Sequence, residues 1–144
     1  MDDDFKKYDL IVAPVLYMII AGLAERINEY VAKGGNFVTT YMSGMVNTTD
    51  NIYLGGYPCL LKEVIGIWVE ESDAIVPGHK TIVSFNDHDY EASFTCDLIH
   101  PGRAKVLAKY SNEFYAGTAA ITENKYGKGK AWYIGTKLHH QGLT

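Results

Sequence analysis

Cysteine, proline and positive charge are all scarce in this chain, and each scarcity closes off a class of protein. Of 144 residues, two are cysteine (Cys59 and Cys96) and four are proline. Two cysteines make neither a disulfide framework nor a metal site, which favours a reducing, cytoplasmic setting. Lysine and arginine number 13 against 17 aspartates and glutamates, a formal net charge of −4. That balance argues against nucleic acid or an anionic membrane as partner. No window comes near the roughly 18 uninterrupted apolar residues that a membrane helix needs. Residues 10–22 are apolar, but Pro14 breaks them and the segment before is acidic, the wrong front end for a secretory signal.

Chemistry is scarce as well. There is no Gly-x-Ser-x-Gly or Gly-x-Cys-x-Gly elbow; Ser43, in Tyr41-Met42-Ser43-Gly44, lacks the leading glycine. Cys59 follows Pro58 at an expected helix start, where a thiolate is favoured. A cysteine hydrolase also needs a positioned histidine and an orienting acid, and His79, His88, His100, His139 and His140 form no local signature with it. Glu70 and Glu71 are adjacent, so on a strand they point to opposite faces and cannot work as a pair. His139-His140 lacks a third ligand, and Gly127-Lys128-Gly129-Lys130 is too short for a phosphate loop. No metal or cofactor is expected.

What is present reads as a single α/β domain over residues 1–144. Residues 10–14 (Leu-Ile-Val-Ala-Pro) are a short β-branched run of the buried parallel-strand kind. Ile20, Leu23, Ile27, Tyr30 and Val31 then recur at helical steps, and Gly34-Gly35 stops the helix. Residues 36–41 form a second strand, completing a βαβ unit. A long loop, residues 42–57, leads to a short helix at 59–65 and a strand at 67–71. From Val76 the helical period gives way to short runs at 80–85, 90–98 and 104–110, with a turn at 86–89. Residues 119–125 and 130–134 flank a glycine-centred hairpin.

The residues 34–58 organise this pattern. They leave a helix, pass through a strand and end in a loop crowded with Gly, Tyr and Asn, where ligands and partners of open α/β sheets gather. Tyrosine is abundant, eleven against five Phe and two Trp, and it suits surfaces that are sometimes covered.

Several segments together resemble one family. Residues 8–17 (Tyr-Asp-Leu-Ile-Val-Ala-Pro-Val-Leu-Tyr) are similar to the opening of the non-catalytic middle domain of glycoside hydrolase family 42 β-galactosidases. The likeness continues through 30–44, the Tyr-Leu-Gly-Gly-Tyr-Pro element at 53–58, residues 60–67 and the hairpin 126–136. The resemblance implies a trimerisation domain with a flavodoxin-like, class I glutamine-amidotransferase-like three-layer sandwich that has lost the nucleophile. It implies a mostly parallel sheet with additional antiparallel strands and a C-terminal hairpin. It also implies a homotrimeric parent whose retaining chemistry on terminal β-galactosides resides in a separate catalytic barrel, so no catalytic role falls on these residues. The family's domain has a strand and helix before the Tyr8-like position, so an exposed sheet edge and an uncovered face are expected here. The contact surface is then expected at Tyr41, Met42, Tyr53, Leu54 and Tyr57. Two alternatives remain open: an amidotransferase-like enzyme with Cys59 as nucleophile, and a carbohydrate-binding module stacking sugars on Tyr41, Tyr53, Tyr57 and Trp68.

Overall fold

The first half of the chain follows its hydrophobic periods. In the computed structural model, which describes residues 4–139, the apolar run forms β1 (Leu10–Ala13), the amphipathic stretch forms α1 (Leu23–Ala32), and β2 (Asn36–Thr40) follows. Helix α1 buries Ala24, Ile27, Tyr30 and Val31, which share one apolar cluster with Phe37 and Tyr133. Full burial of a side chain such as Ile27 or Val31 contributes about 1.5–3 kcal/mol. The helix begins at Leu23 rather than at Ile20. Gly22 caps it in a left-handed conformation (φ 78°), so Ile20 precedes the first turn and stands 54% exposed while Ile19 takes the buried place. At the other end, a Cβ on Gly35 would lie 2.2 Å from Cζ of Tyr30. The Tyr30 hydroxyl donates to the Tyr8 carbonyl at 2.8 Å, so Gly35 makes room for the ring that ties α1 to the entry of β1.

β2 runs parallel both to β1 and to β8 (Gly129–Ile134). Beyond β8 the order continues through β7 (Ala119–Tyr126), β6 (Lys105–Tyr110), β4 (Thr81–Phe85) and β5 (His88–Pro101) to β3 (Ile67–Ala74). All of these neighbours are antiparallel, as is β9 (Thr136–Leu138) on β5. Among the described residues two of nine pairings are parallel, which corrects the expectation of a mostly parallel sheet. The fold is a mixed α/β sheet with few helices. Connections explain the difference. A parallel neighbour needs a long crossover, usually a helix, and after α1 the described residues hold one further α-helix, α2 (Lys62–Ile65), of four residues. β4–β5 and β7–β8 join through two-residue turns. Asn86 and Asp87 (φ 49° and 62°) supply the left-handed pair that a two-residue hairpin requires.

Both helices pack into the same cluster, where Leu61, Val64 and Ile65 meet Ile27, Phe37 and Tyr133. A second cluster, with Val83, Cys96, Ala108, Tyr110 and Tyr115, fills the antiparallel half. β1 stands at one end of the sheet order. Leu10 and Val12 are 51% and 57% exposed there, and Val12 is in register with Val38, itself in register with Trp132.

Candidate functional site

β2 delivers the chain into residues 41–58, which close on the 3-10 turn Cys59–Leu61. The segment is long, yet its own hydrogen bonds shape it. The Asn47 side-chain oxygen accepts from the amides of Thr49 and Asn51 at 2.9 and 3.1 Å, an Asx turn. The Tyr53 amide donates to the Met45 carbonyl at 3.1 Å, and Val46 bridges both Met18 and Ile52. Gly44 (φ 68°) lies so close to Pro58 that a Cβ would come within 2.9 Å of the proline Cβ. The two ends therefore pack on each other. At the tip, Ile52 and Leu54 are 72% and 94% exposed. Apolar side chains held in solvent by an ordered loop lose little entropy on being covered, which is the economy of a contact hot spot.

Beneath the segment lies Asp97 of β5, fully buried. Its Oδ2 accepts the Tyr133 hydroxyl at 2.6 Å. Its Oδ1 accepts the Ser72 hydroxyl, and the Tyr57 hydroxyl pairs with Ser72 and lies 3.5 Å from the same oxygen; the Met42 backbone amide helps to draw the carboxyl's pKa down. Burial pushes the Asp97 carboxyl above the usual carboxylate range, against the pull of these donors. Burial likewise pushes the Tyr57 phenol up to about 12, with Asp97 adding to the rise. Tyr133 is raised well above the ordinary tyrosine value for the same two reasons.

The expected contact residues thus divide. Met42 and Tyr57 converge on Asp97, with Met42 in the left-handed region (φ 57°). Tyr41 is half-buried and packs its ring on Phe94 with centroids 5.8 Å apart. Tyr53 and Leu54 sit at the outer end. Two participants escaped sequence reasoning. Phe94 is 55% exposed with φ 74°, a costly conformation for a bulky residue, and nothing in its neighbours signals it. Asp97 did carry a signal, as a lone charge between Cys96 and Leu98-Ile99 in an apolar strand.

The nucleophile candidates are structural. Ser43 is fully buried; it accepts the Leu16 amide at 3.0 Å and lies 2.7 Å from the Thr39 hydroxyl. Cys59 is partly exposed, but the histidines with recorded partners are committed elsewhere: His79 to Glu113 at 2.7 Å, His100 to Glu70 at 2.7 Å, His139 to Ser93 at 3.0 Å. Trp68 lies stacked on His100 (centroids 4.2 Å, planes 10° apart). A Cβ on Gly56 would meet its benzo ring at 3.3 Å. The ring is thus engaged with the protein, while 41% of the residue stays exposed. Among the described residues no three metal-ligating side chains gather, and His140 lies outside them. An open depression of about 620 Å³ lies beside Phe5, Tyr8, Arg26 and Tyr30. It sits at the amino ends of β1 and β2, opposite the end where such sheets bind ligands.

Comparison with known proteins agrees with this picture. Residues 1–144 match the β-galactosidase trimerisation domain family. The β-galactosidase LacA of Lactobacillus acidophilus is 69% identical over 144 residues, all of this chain and 22% of LacA. The β-galactosidase Pbg of Clostridium perfringens is 45% identical over 151 residues, again all of this chain and 22% of that protein. Among solved structures, the β-galactosidase from Bacillus circulans sp. alkalophilus superposes with a TM-score of 0.95 at 42% identity, covering 99% of this chain and 22% of that one. The chain thus spans about a fifth of the length of the relatives it matches. A whole-length family match, close relatives of one kind and a common fold place these residues together: the chain belongs to the trimerisation domain family of glycoside hydrolase family 42 β-galactosidases, a non-catalytic part of those enzymes.

Proposed function

We propose that these 144 residues act as one oligomerisation domain, joining copies of a β-galactosidase into a homotrimer through residues 41–58. The parent polypeptide hydrolyses terminal β-D-galactosides in cytoplasmic carbohydrate metabolism, with the reacting groups in a catalytic barrel that is this domain's other partner. The observation that carries the reading is Leu54, 94% exposed on a hydrogen-bonded loop beside Ile52 at 72%. Tyr41, Met42, Tyr53 and Tyr57 complete the surface, and Phe94 extends it. The β1–α1–β2 unit with β8 beside it supports a flavodoxin-like, amidotransferase-like ancestry. The buried, hydrogen-bonded Ser43 fits the loss of a nucleophile. A threefold ring joins unlike surfaces of neighbouring copies, so one charge at the tip meets every contact. Sedimentation equilibrium of the intact polypeptide carrying Leu54→Asp tests this. Dissociation into smaller species with unchanged circular dichroism is expected, and an unaltered trimer would reject the surface.

A further inference from the structure

We infer that Asp97 is the positioning residue of the segment 41–58: a single buried carboxylate on β5 holds both ends of the loop and so sets the surface at its tip. The inference rests on the proposed contact reading for its consequence, though not for its geometry. Tyr57, at the end of the segment, reaches the carboxylate through Ser72, and its hydroxyl lies 3.5 Å from Oδ1. The backbone amide of Met42, at the start, adds to the electrostatic pull on the same carboxyl. The other two donors come from the sheet, Tyr133 of β8 at 2.6 Å and Ser72 of β3. Every donor thus belongs to a different piece of chain, and removal of the carboxylate unties them together.

Two further features argue against a space-filling role. A fully buried carboxylate whose partners are hydroxyls and an amide, not a cation, is costly to keep. An apolar residue of that size would fill the volume without such cost. The loop also departs from β2 in a conformation that side chains avoid, φ 57° at Met42, the residue whose amide adds to the pull on the Asp97 carboxyl. The neighbouring Tyr41 ring then falls on Phe94, three positions before Asp97 on the same strand. Around the carboxyl, the titratable groups are Tyr57, Tyr133, Tyr110, whose hydroxyl donates to the Asp97 carbonyl at 3.3 Å, and Cys96 next in sequence; Glu71 acts on Tyr57. Closing a loop of this length has an entropic cost, and a shared acceptor beneath both ends offsets it.

Amide hydrogen exchange on the intact polypeptide tests the inference, with Asp97→Ala, Asp97→Asn and Tyr57→Phe. Exchange across residues 42–57 should accelerate about tenfold or more in Asp97→Ala, while strands β6 and β7 stay near their original rates. Asp97→Asn, which keeps the shape and one acceptor oxygen, should restore most of the protection. Tyr57→Phe should loosen the end near Tyr57 and leave the Met42 end protected; it carries the test if Asp97→Ala does not fold. Equal acceleration in loop and strands, or a loop unchanged in Tyr57→Phe or in a folded Asp97→Ala, would overturn the inference. Sedimentation separates it from the contact reading. Weaker trimerisation in Leu54→Asp with an unchanged loop in the Asp97 variants sinks the positioning role alone. A loosened loop with Leu54→Asp still trimeric sinks the contact reading alone.

Discussion

The hydroxyl of Tyr133 and the carboxylate of Asp97 meet at 2.6 Å where neither residue touches solvent. Each is there because of the other: the carboxylate satisfies a phenol buried at the centre of the sheet, and the phenol satisfies a carboxylate with no cation beside it. Replacing Asp97 by leucine leaves the Tyr133 hydroxyl buried without an acceptor. A loss of about 1–3 kcal/mol is expected, read from urea denaturation. Tyr133→Phe should cost a similar amount by leaving Oδ2 of the acid without its donor, and the double variant should cost less than the sum, since each single change strands a partner atom.

The same acid gives stability a pH dependence of definite sign. Burial raises its folded-state pKa above the ordinary 3.8. Between that value and the raised one, the folded chain binds more protons than the unfolded chain, so this group's contribution to stability falls as pH rises through the window. Glu29 and Glu91, held down by Lys33 and Lys80, act in the opposite sense and lose stability as pH falls. Subtracting the pH profile of Asp97→Asn from that of the parent isolates the buried acid. The difference should decline from acid to neutral pH, and a rise would contradict the assignment.

Gly35 offers a prediction about packing. A methyl there would sit 2.2 Å from the Tyr30 ring, so Gly35→Ala must displace either the ring or the end of α1. A cost of about 1–3 kcal/mol is expected from such overpacking. The Tyr30→Phe, Gly35→Ala pair should be no better tolerated, because the clash is with the ring and not its hydroxyl. Equal thermal stability of Gly35→Ala and the parent would show that the ring has room to move.

Much of this architecture was legible because its signals are local. The stripe Ile27, Tyr30, Val31 and the Gly34-Gly35 stop announce α1 within a few turns, and the Asn86-Asp87 pair announces its hairpin outright. Strand order was not legible. Whether β8 returns beside β2 in parallel, and β5 serves several neighbours, depends on contacts between residues far apart in sequence. The clue available was the shortness of the helix expected at 59–65, since so few residues cannot span a sheet. The site was half legible: composition pointed to the loop, and its tip residue Leu54 is the most exposed of the large hydrophobics among the described residues. Its foundation was hidden, because Asp97 and Tyr133 come together only once β5 and β8 are folded.

The two cysteines should separate by accessibility. Cys59 is partly exposed, whereas Cys96 is fully buried with its sulfur 3.4 Å from the Thr136 hydroxyl. A thiol reagent should modify one equivalent in the native chain and two in denaturant, and Cys59→Ser should abolish the native reaction without altering assembly. Modification of Cys96 in the native chain would mean that the second cluster opens.

Phe94 brings stability and contact into opposition. Its φ of 74° strains a bulky residue, a cost of about 1–2 kcal/mol, while its 55% exposed ring buries little within the chain. Asparagine tolerates the left-handed region and adds none of glycine's freedom to the unfolded state. Phe94→Asn is therefore expected to raise the urea midpoint, by up to about 1 kcal/mol once the ring contact with Tyr41 is lost. The same change removes an exposed aromatic from the proposed surface, so sedimentation should show weaker self-association. Strain kept for a contact predicts both effects at once. A variant that is less stable, or equally associated, would mean that the ring serves the fold and not a partner.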